Sequence, residues 1–132
     1  KYLIDTEEQG KRRKTMQKVC LSCHSHAWVQ GHFSRFENTI NITNTMTLTA
    51  TEILLSAWEK GAAKGLSHND SIFNEAIEKK WVEQWLFFAN STRYASAMGG
   101  ADYGVFANGR WYMSKNIQEM LDWLQFKLEK KN

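Results

Sequence analysis

Not one of the 132 residues is proline, and that absence constrains what such a chain can fold into. Proline is the strongest helix breaker, because its ring removes an amide donor and clashes with the preceding turn. A chain of this length without one is free to build long, uninterrupted helices around one modest core. Six Trp, seven Phe and four Tyr add bulky flat side chains, suited to helix–helix packing or to packing around a flat apolar group.

The spacing of apolar residues points the same way. Thr6 is placed to cap a first helix, with Glu7 and Glu8 suiting its positive end, running to about Val19 with Met16 and Val19 on its inner side. A long helix is expected from about Ser34 to Ala63, on the recurrence of Ile40, Thr43, Thr47, Leu48, Thr51, Leu54, Leu55 and Trp58. Thr43 to Thr51 has poor helix propensity, but no apolar period of two is sustained there. Ser67-His68-Asn69-Asp70-Ser71 reads as a turn and N-cap. From Ser71 to Met98 the stripe Phe73, Ile77, Trp81, Trp85, Phe88 and Thr92 advances in steps of three and four, as in a bundle helix. The four glycines between Gly99 and Ser114 predict an irregular loop. Ser114 then caps a last helix with the seam Ile117, Met120, Leu121, Leu124 and Leu128, and with Lys127, Lys130 and Lys131 at its negative end. The expected fold is all-α: a helical segment followed by an antiparallel bundle of about three long helices.

The chemistry is concentrated in Cys20-Leu21-Ser22-Cys23-His24. Two cysteines three positions apart with a histidine directly after them form the attachment signature of haem c. Each thiol reaches one vinyl group on the same haem edge, and the adjacent imidazole turns under the iron as proximal ligand. These are the chain's two cysteines. A disulfide between them would close almost no loop and add little stability. Zinc would want a second Cys/His pair at finger spacing, and none follows. A thioredoxin-like dithiol sits after a strand and lacks the trailing histidine. Covalent haem attachment takes place outside the cytoplasm, so the expected location is extracytoplasmic, with a secretory signal expected upstream of residue 1. The net charge of +3 is mild, and Lys11-Arg12-Arg13-Lys14 is offset by Asp5, Glu7 and Glu8. That pattern reads as a solvated helix face and argues against nucleic acid as a partner. No apolar run is long enough to cross a membrane.

One haem motif fits an electron carrier as readily as an enzyme. Small monohaem cytochromes take a methionine ligand, commonly beside proline, and no Met here has that setting; four-helix cytochromes carry the motif near the C-terminus. Several stretches taken together give a closer match: Cys20-Leu21-Ser22-Cys23-His24-Ser25, the turn His68-Asn69-Asp70, and Arg93-Tyr94-Ala95-Ser96-Ala97-Met98-Gly99-Gly100-Ala101-Asp102-Tyr103. In order and spacing this set resembles the C-terminal part of octahaem hydroxylamine oxidoreductase-like multihaem cytochromes, over about Arg13 to Trp111. The resemblance implies a haem c-binding segment at 1–36 and a helix bundle at 37–132 with a glycine-rich Asp-Tyr loop at 99–114. Together they would form a single structural unit belonging to a larger multihaem chain.

In that family the tyrosine of the Asp-Tyr pair bonds covalently to the catalytic haem of a neighbouring subunit and favours oxidation of substrate. Tyr103 stands at the matching position. The resemblance therefore implies oxidation of hydroxylamine or hydrazine, with Tyr103 catalytic and the ligands of the catalytic haem outside this segment. It also implies a homotrimer, a small nitrogenous substrate, the enzyme's other haems as internal partners, and a soluble or membrane cytochrome as electron acceptor. The compartment would be a periplasm or an equivalent such as an anammox organelle lumen. His24 is the expected proximal iron ligand; His26 and His32 are candidates to reach another haem, and His68 is either a distal ligand or a polar turn residue. One departure is Phe87-Phe88, where relatives carry histidines near the middle of the long helix. Two other readings stay open: a stand-alone electron-carrier cytochrome, and a multihaem enzyme that reduces nitrite or hydroxylamine.

Overall fold

The computed structural model describes residues 4–65, 73 and 75–131, and every regular element among them is helical. Contacts divide the chain into two compact units, Lys1–Arg35 and Phe36–Asn132.

In the first unit, α1 (Thr6–Leu21) is capped by Asp5 rather than Thr6: the Asp5 carboxylate accepts from the Glu8 amide at 2.9 Å. Ion pairs Glu7–Lys11 at 2.9 Å and Glu8–Arg12 at 2.6 Å lie on its exposed surface. No residue of α1 is buried. An isolated helix of this length is marginal in water, and exposed i,i+4 pairs add only about 0.3–0.5 kcal/mol each. The Arg13 guanidinium lies over the Phe33 ring, 5.2 Å from its centroid, and so links α1 to the helix that follows. That helix, α2 (His26–Glu59), begins at His26 instead of Ser34. The cause is Ser25, whose hydroxyl oxygen accepts from the Trp28 amide at 3.2 Å and caps the helix early.

The second unit holds the rest of α2 and two further helical rods. The threonine-rich stretch is helical as expected, with Thr45, Thr47, Thr49 and Thr51 each donating to the carbonyl four residues back at 2.8–3.0 Å. The core face of α2 is not quite the expected one. Leu48 and Leu55 are exposed, whereas Thr39, Thr43, Ala50, Leu54 and Ala57 are buried. Alanines carry the close contact here, and they weigh little in a hydropathy pattern. α2 closes where the amides of Gly61 and Ala62 return to the carbonyls of Trp58 and Ala57, at 3.0 and 2.8 Å.

The second rod comprises α3 (Ala76–Val82), a π-helical segment (Glu83–Phe88) and α4 (Ala89–Gly99). The cap expected within Ser67–Ser71 lies outside the described residues. The wider π turn inserts an extra residue and shifts the phase of the buried face. Burial runs Ile77, Gln84, Ala89, Thr92, Ser96, while Trp85 swings to 37% exposure. The third rod runs through α5 (Tyr103–Val105), a second π-helical segment (Phe106–Arg110) and α6 (Trp111–Glu129). The predicted loop over 99–114 is thus mostly helix, and Ser114 lies inside α6 rather than capping it. In the last seam Met120 and Leu124 are buried, whereas Leu121 is exposed.

Glycines read as breakers serve a different purpose: a Cβ on Gly109 would sit 2.1 Å from Thr92 Oγ1, so its absence lets the two rods touch. The rods run antiparallel. From α2 to the second rod, Trp58 Nε1 donates to Glu78 at 3.0 Å, Trp81 Nε1 to Thr51 at 2.9 Å, and Arg93 to Asn44 at 2.7 Å. From the second rod to the third, Lys80 pairs with Glu119. Asn116 Nδ2 donates to the Lys80 carbonyl at 2.8 Å and to Gln84 Oε1 at 3.0 Å. Gln84 in turn donates to the Met113 carbonyl at 3.3 Å. Around these ties Ile53, Leu54, Ile77, Met120 and Leu124 form the apolar core, with Trp58, Trp81 and Trp123 packed against it.

Two predictions follow from this packing. Thr92 cannot easily give way at the crossing, because its hydroxyl is tied to the Phe88 carbonyl at 2.7 Å. Gly109→Ala is expected to destabilise the protein by about 1–3 kcal/mol, seen as a lowered denaturation midpoint at constant slope. The hydrogen bond from Lys80, then the Coulombic pull of Lys80 and Lys115, holds the Glu119 carboxyl below the usual carboxylate range. A depressed folded value contributes stability that is complete above the unfolded pKa of about 4.3 and is lost as pH falls through the lower folded value. Glu119→Gln should therefore flatten the acid limb of a stability–pH curve below that point and leave its slope at neutral pH unchanged; the effect is small because the pair is partly solvent-exposed.

Candidate haem attachment site

The Cys20–His24 motif sits where α1 gives out. Cys20 lies in the last turn, and its carbonyl accepts two amides, from Cys23 at 3.1 Å and from His24 at 2.9 Å. Ser22 extends the turn, its amide and hydroxyl reaching the Val19 carbonyl at 3.2 and 2.6 Å. The two thiols and the imidazole are thereby gathered on one short turn. Both cysteines are free; Cys20 is half-buried, Cys23 and His24 exposed.

The surroundings are apolar and uncovered. Met16 is 53% exposed, Val19 58% and Trp28 43%, and Val29 is the one buried hydrophobic residue of this unit among those described. Exposed apolar side chains grouped within one small unit mark a surface that something covers. Free thiols at this spacing, a histidine next to the second, and an uncovered apolar surround are what covalent haem requires, so the residues present fit that group. Among the described residues no three His, Cys, Asp or Glu side chains are grouped so as to hold a metal ion by themselves; iron at His24 would take its equatorial ligands from a porphyrin.

Sequence spacing alone left one arrangement unnoticed. His24, Trp28 and His32 stand four residues apart, and their rings stack in series. His24 and Trp28 have centroids 3.7 Å apart and planes within 11°; Trp28 and His32 are 5.3 Å apart and within 1°. In the sequence, the signal for this arrangement is the spacing of four between Trp28 and each of the two histidines. His26 is the exposed first residue of α2. His68 lies outside the described residues.

The Asp-Tyr pair opens the third rod, in the second unit. The Asp102 carboxylate accepts from the Gly104 amide at 2.9 Å, and its carbonyl from the Phe106 amide at 3.1 Å. Asp102 is therefore the N-cap and Tyr103 the first helical residue; the Tyr103 side chain lies outside the described part of the structure. Gly100, at φ +89°, makes the break that separates this cap from α4.

No protein-family model and no curated protein sequence matches the chain. A solved structure described as a hypothetical multiheme protein does, at 38% identity and a TM-score of 0.81, covering 98% of this chain and 25% of that one. The chain therefore has a multihaem cytochrome-like helical fold and spans about a quarter of the length of the structure it matches.

Asp102→Ala should cost about 0.5–2 kcal/mol by removing the cap, and Asp102→Asn close to nothing. Thermal unfolding of the two variants side by side checks this; equal losses would contradict the capping role.

Proposed function

We propose that this chain is the haem c-bearing, electron-transferring portion of a multihaem oxidoreductase that oxidises hydroxylamine or hydrazine. The observation that carries the proposal is the Cys20–His24 turn, with two free thiols and an exposed imidazole on a helical unit whose apolar side chains are uncovered. Its likeness to a quarter of a multihaem protein supports the plural haems. When bound, haem supplies the one-electron iron couple through which charge moves.

The chain's own residues have separate tasks. Cys20 and Cys23 anchor the porphyrin edge, and His24 ligates iron from the proximal side. His26 and His32 are candidates to ligate another haem, and His68 is a candidate distal ligand. Held by Cys20, Cys23 and His24, the group would serve electron transfer rather than substrate chemistry at this site. Tyr103 acts elsewhere: by the resemblance to hydroxylamine oxidoreductase-like cytochromes, it reaches a neighbouring subunit of a homotrimer and bonds to the catalytic haem. The Asp102 cap and the Gly109–Thr92 contact hold the backbone that carries it. The electrons leave for a soluble or membrane cytochrome, in an extracytoplasmic compartment.

Haem quantitation on the intact source protein tests the first part. The double variant Cys20→Ser/Cys23→Ser should lose one haem per polypeptide while retaining the others; an unchanged count, or a single haem in the wild type, overturns the reading. For the second part, Tyr103→Phe should abolish the cross-linked peptide in mass spectra and the anomalous ferrous-haem absorption. Substrate oxidation should fall at least ~10-fold, which is ~1.4 kcal/mol of barrier. An unmodified Tyr103 peptide from the wild-type holoprotein would remove the cross-link from the mechanism.

A further inference from the structure

We propose that Trp28 is a positioning residue for His24, fixing the plane in which the imidazole meets the haem iron; this rests on the reading of His24 as an iron ligand. His24 lies in an exposed turn between helices, so its own backbone element does little to restrain rotation of the ring. The restraint comes from the stack, with centroids 3.7 Å apart and planes 11° from parallel. Trp28 is itself held. Its amide is fixed by Ser25 Oγ at 3.2 Å, and its ring lies parallel to that of His32, with centroids 5.3 Å apart. His32 in turn meets Phe33 edge-on, at 5.5 Å and 89°, and Phe33 lies under the Arg13 guanidinium. The series ties the imidazole through α2 to α1 within the one unit.

Stacking and ligation make different demands on the ring. A histidine binds iron through a nitrogen lone pair in the ring plane, at its edge, whereas the indole occupies a face. Both contacts can exist together, and the indole then selects the rotation of the imidazole about the bond to iron. Groups that orient an axial ligand are among the means by which protein tunes a metal's spectrum and potential.

The test uses full-length holoprotein with Trp28→Ala and Trp28→Phe. Haem content is counted by pyridine haemochrome, and low-spin ferric EPR and potentiometric titration report on the individual haems. Trp28→Ala should keep the full haem complement, yet shift and broaden the g-values of one haem and move its midpoint potential. Trp28→Phe keeps an aromatic face and should return both towards wild type. Wild-type g-values and potentials in a fully loaded Trp28→Ala protein overturn the proposal. So does a Trp28→Phe protein as displaced as Trp28→Ala, and so does loss of the haem itself in Trp28→Ala, which would make Trp28 a determinant of attachment. A Cys20→Ser/Cys23→Ser control that keeps every haem would instead sink the assignment of His24, whatever Trp28 does.

Discussion

The hydrogen bond between Asn116 and Gln84 is the contact on which the second unit depends. Both residues are buried and hydrogen-bonded: Asn116 Nδ2 with the Lys80 carbonyl and Gln84 Oε1, Gln84 Nε2 with the Met113 carbonyl. Buried amides left without partners are costly, so these side chains tolerate little sliding of one rod along the other. Their backbone partners lie beside the π-helical segments, where widened turns disturb the ordinary pattern of carbonyl bonding. An apolar seam of Ile77, Met120 and Leu124 supplies driving force but is indifferent to small shifts. The amide pair supplies register, and with it the touching of Thr92 and Gly109 that fixes where the third rod begins.

The first unit stands in contrast. It has good capping at Asp5 and Ser25, well-placed surface ion pairs and a series of stacked rings, yet no residue of α1 is buried. Local interactions of this sort organise a turn without giving it much reserve of stability. That suits the proposed role, in which a bound group would complete the uncovered apolar side chains of this unit.

Legibility in the sequence varied with how tightly chemistry fixes spacing. The short spacing of Cys20, Cys23 and His24 already implied that they share one turn, and the hydrogen bonds to the Cys20 carbonyl bear that out. The three rods were readable because bundle helices repeat their apolar residues in threes and fours. What escaped were features in which small or polar residues do the packing. Ala50 and Ala57 line the core of α2 without announcing it, and Gln84 takes a place the stripe assigned to Trp85. One inserted π residue rotates everything after it, and nothing in residue type marks the insertion. Gly109 looked like loop because glycine is a poor helix former; its reason for being there is Thr92 on the neighbouring helix, which a single chain's local pattern does not display. Ser25 was a missed signal of a simpler kind, a good N-cap standing directly before α2.

The threonine stretch of α2 repays one more look. Each of Thr45, Thr47, Thr49 and Thr51 turns its hydroxyl back to its own helix. A hydroxyl so engaged has its proton already committed; Thr51 still accepts from the Trp81 indole through its oxygen, and what the other three side chains offer outward is largely the methyl group. To a neighbour, this run of nominally polar residues presents something closer to a row of valines. Such a helix can lie against apolar material with little desolvation penalty, while the unfolded chain keeps the solubility of threonine.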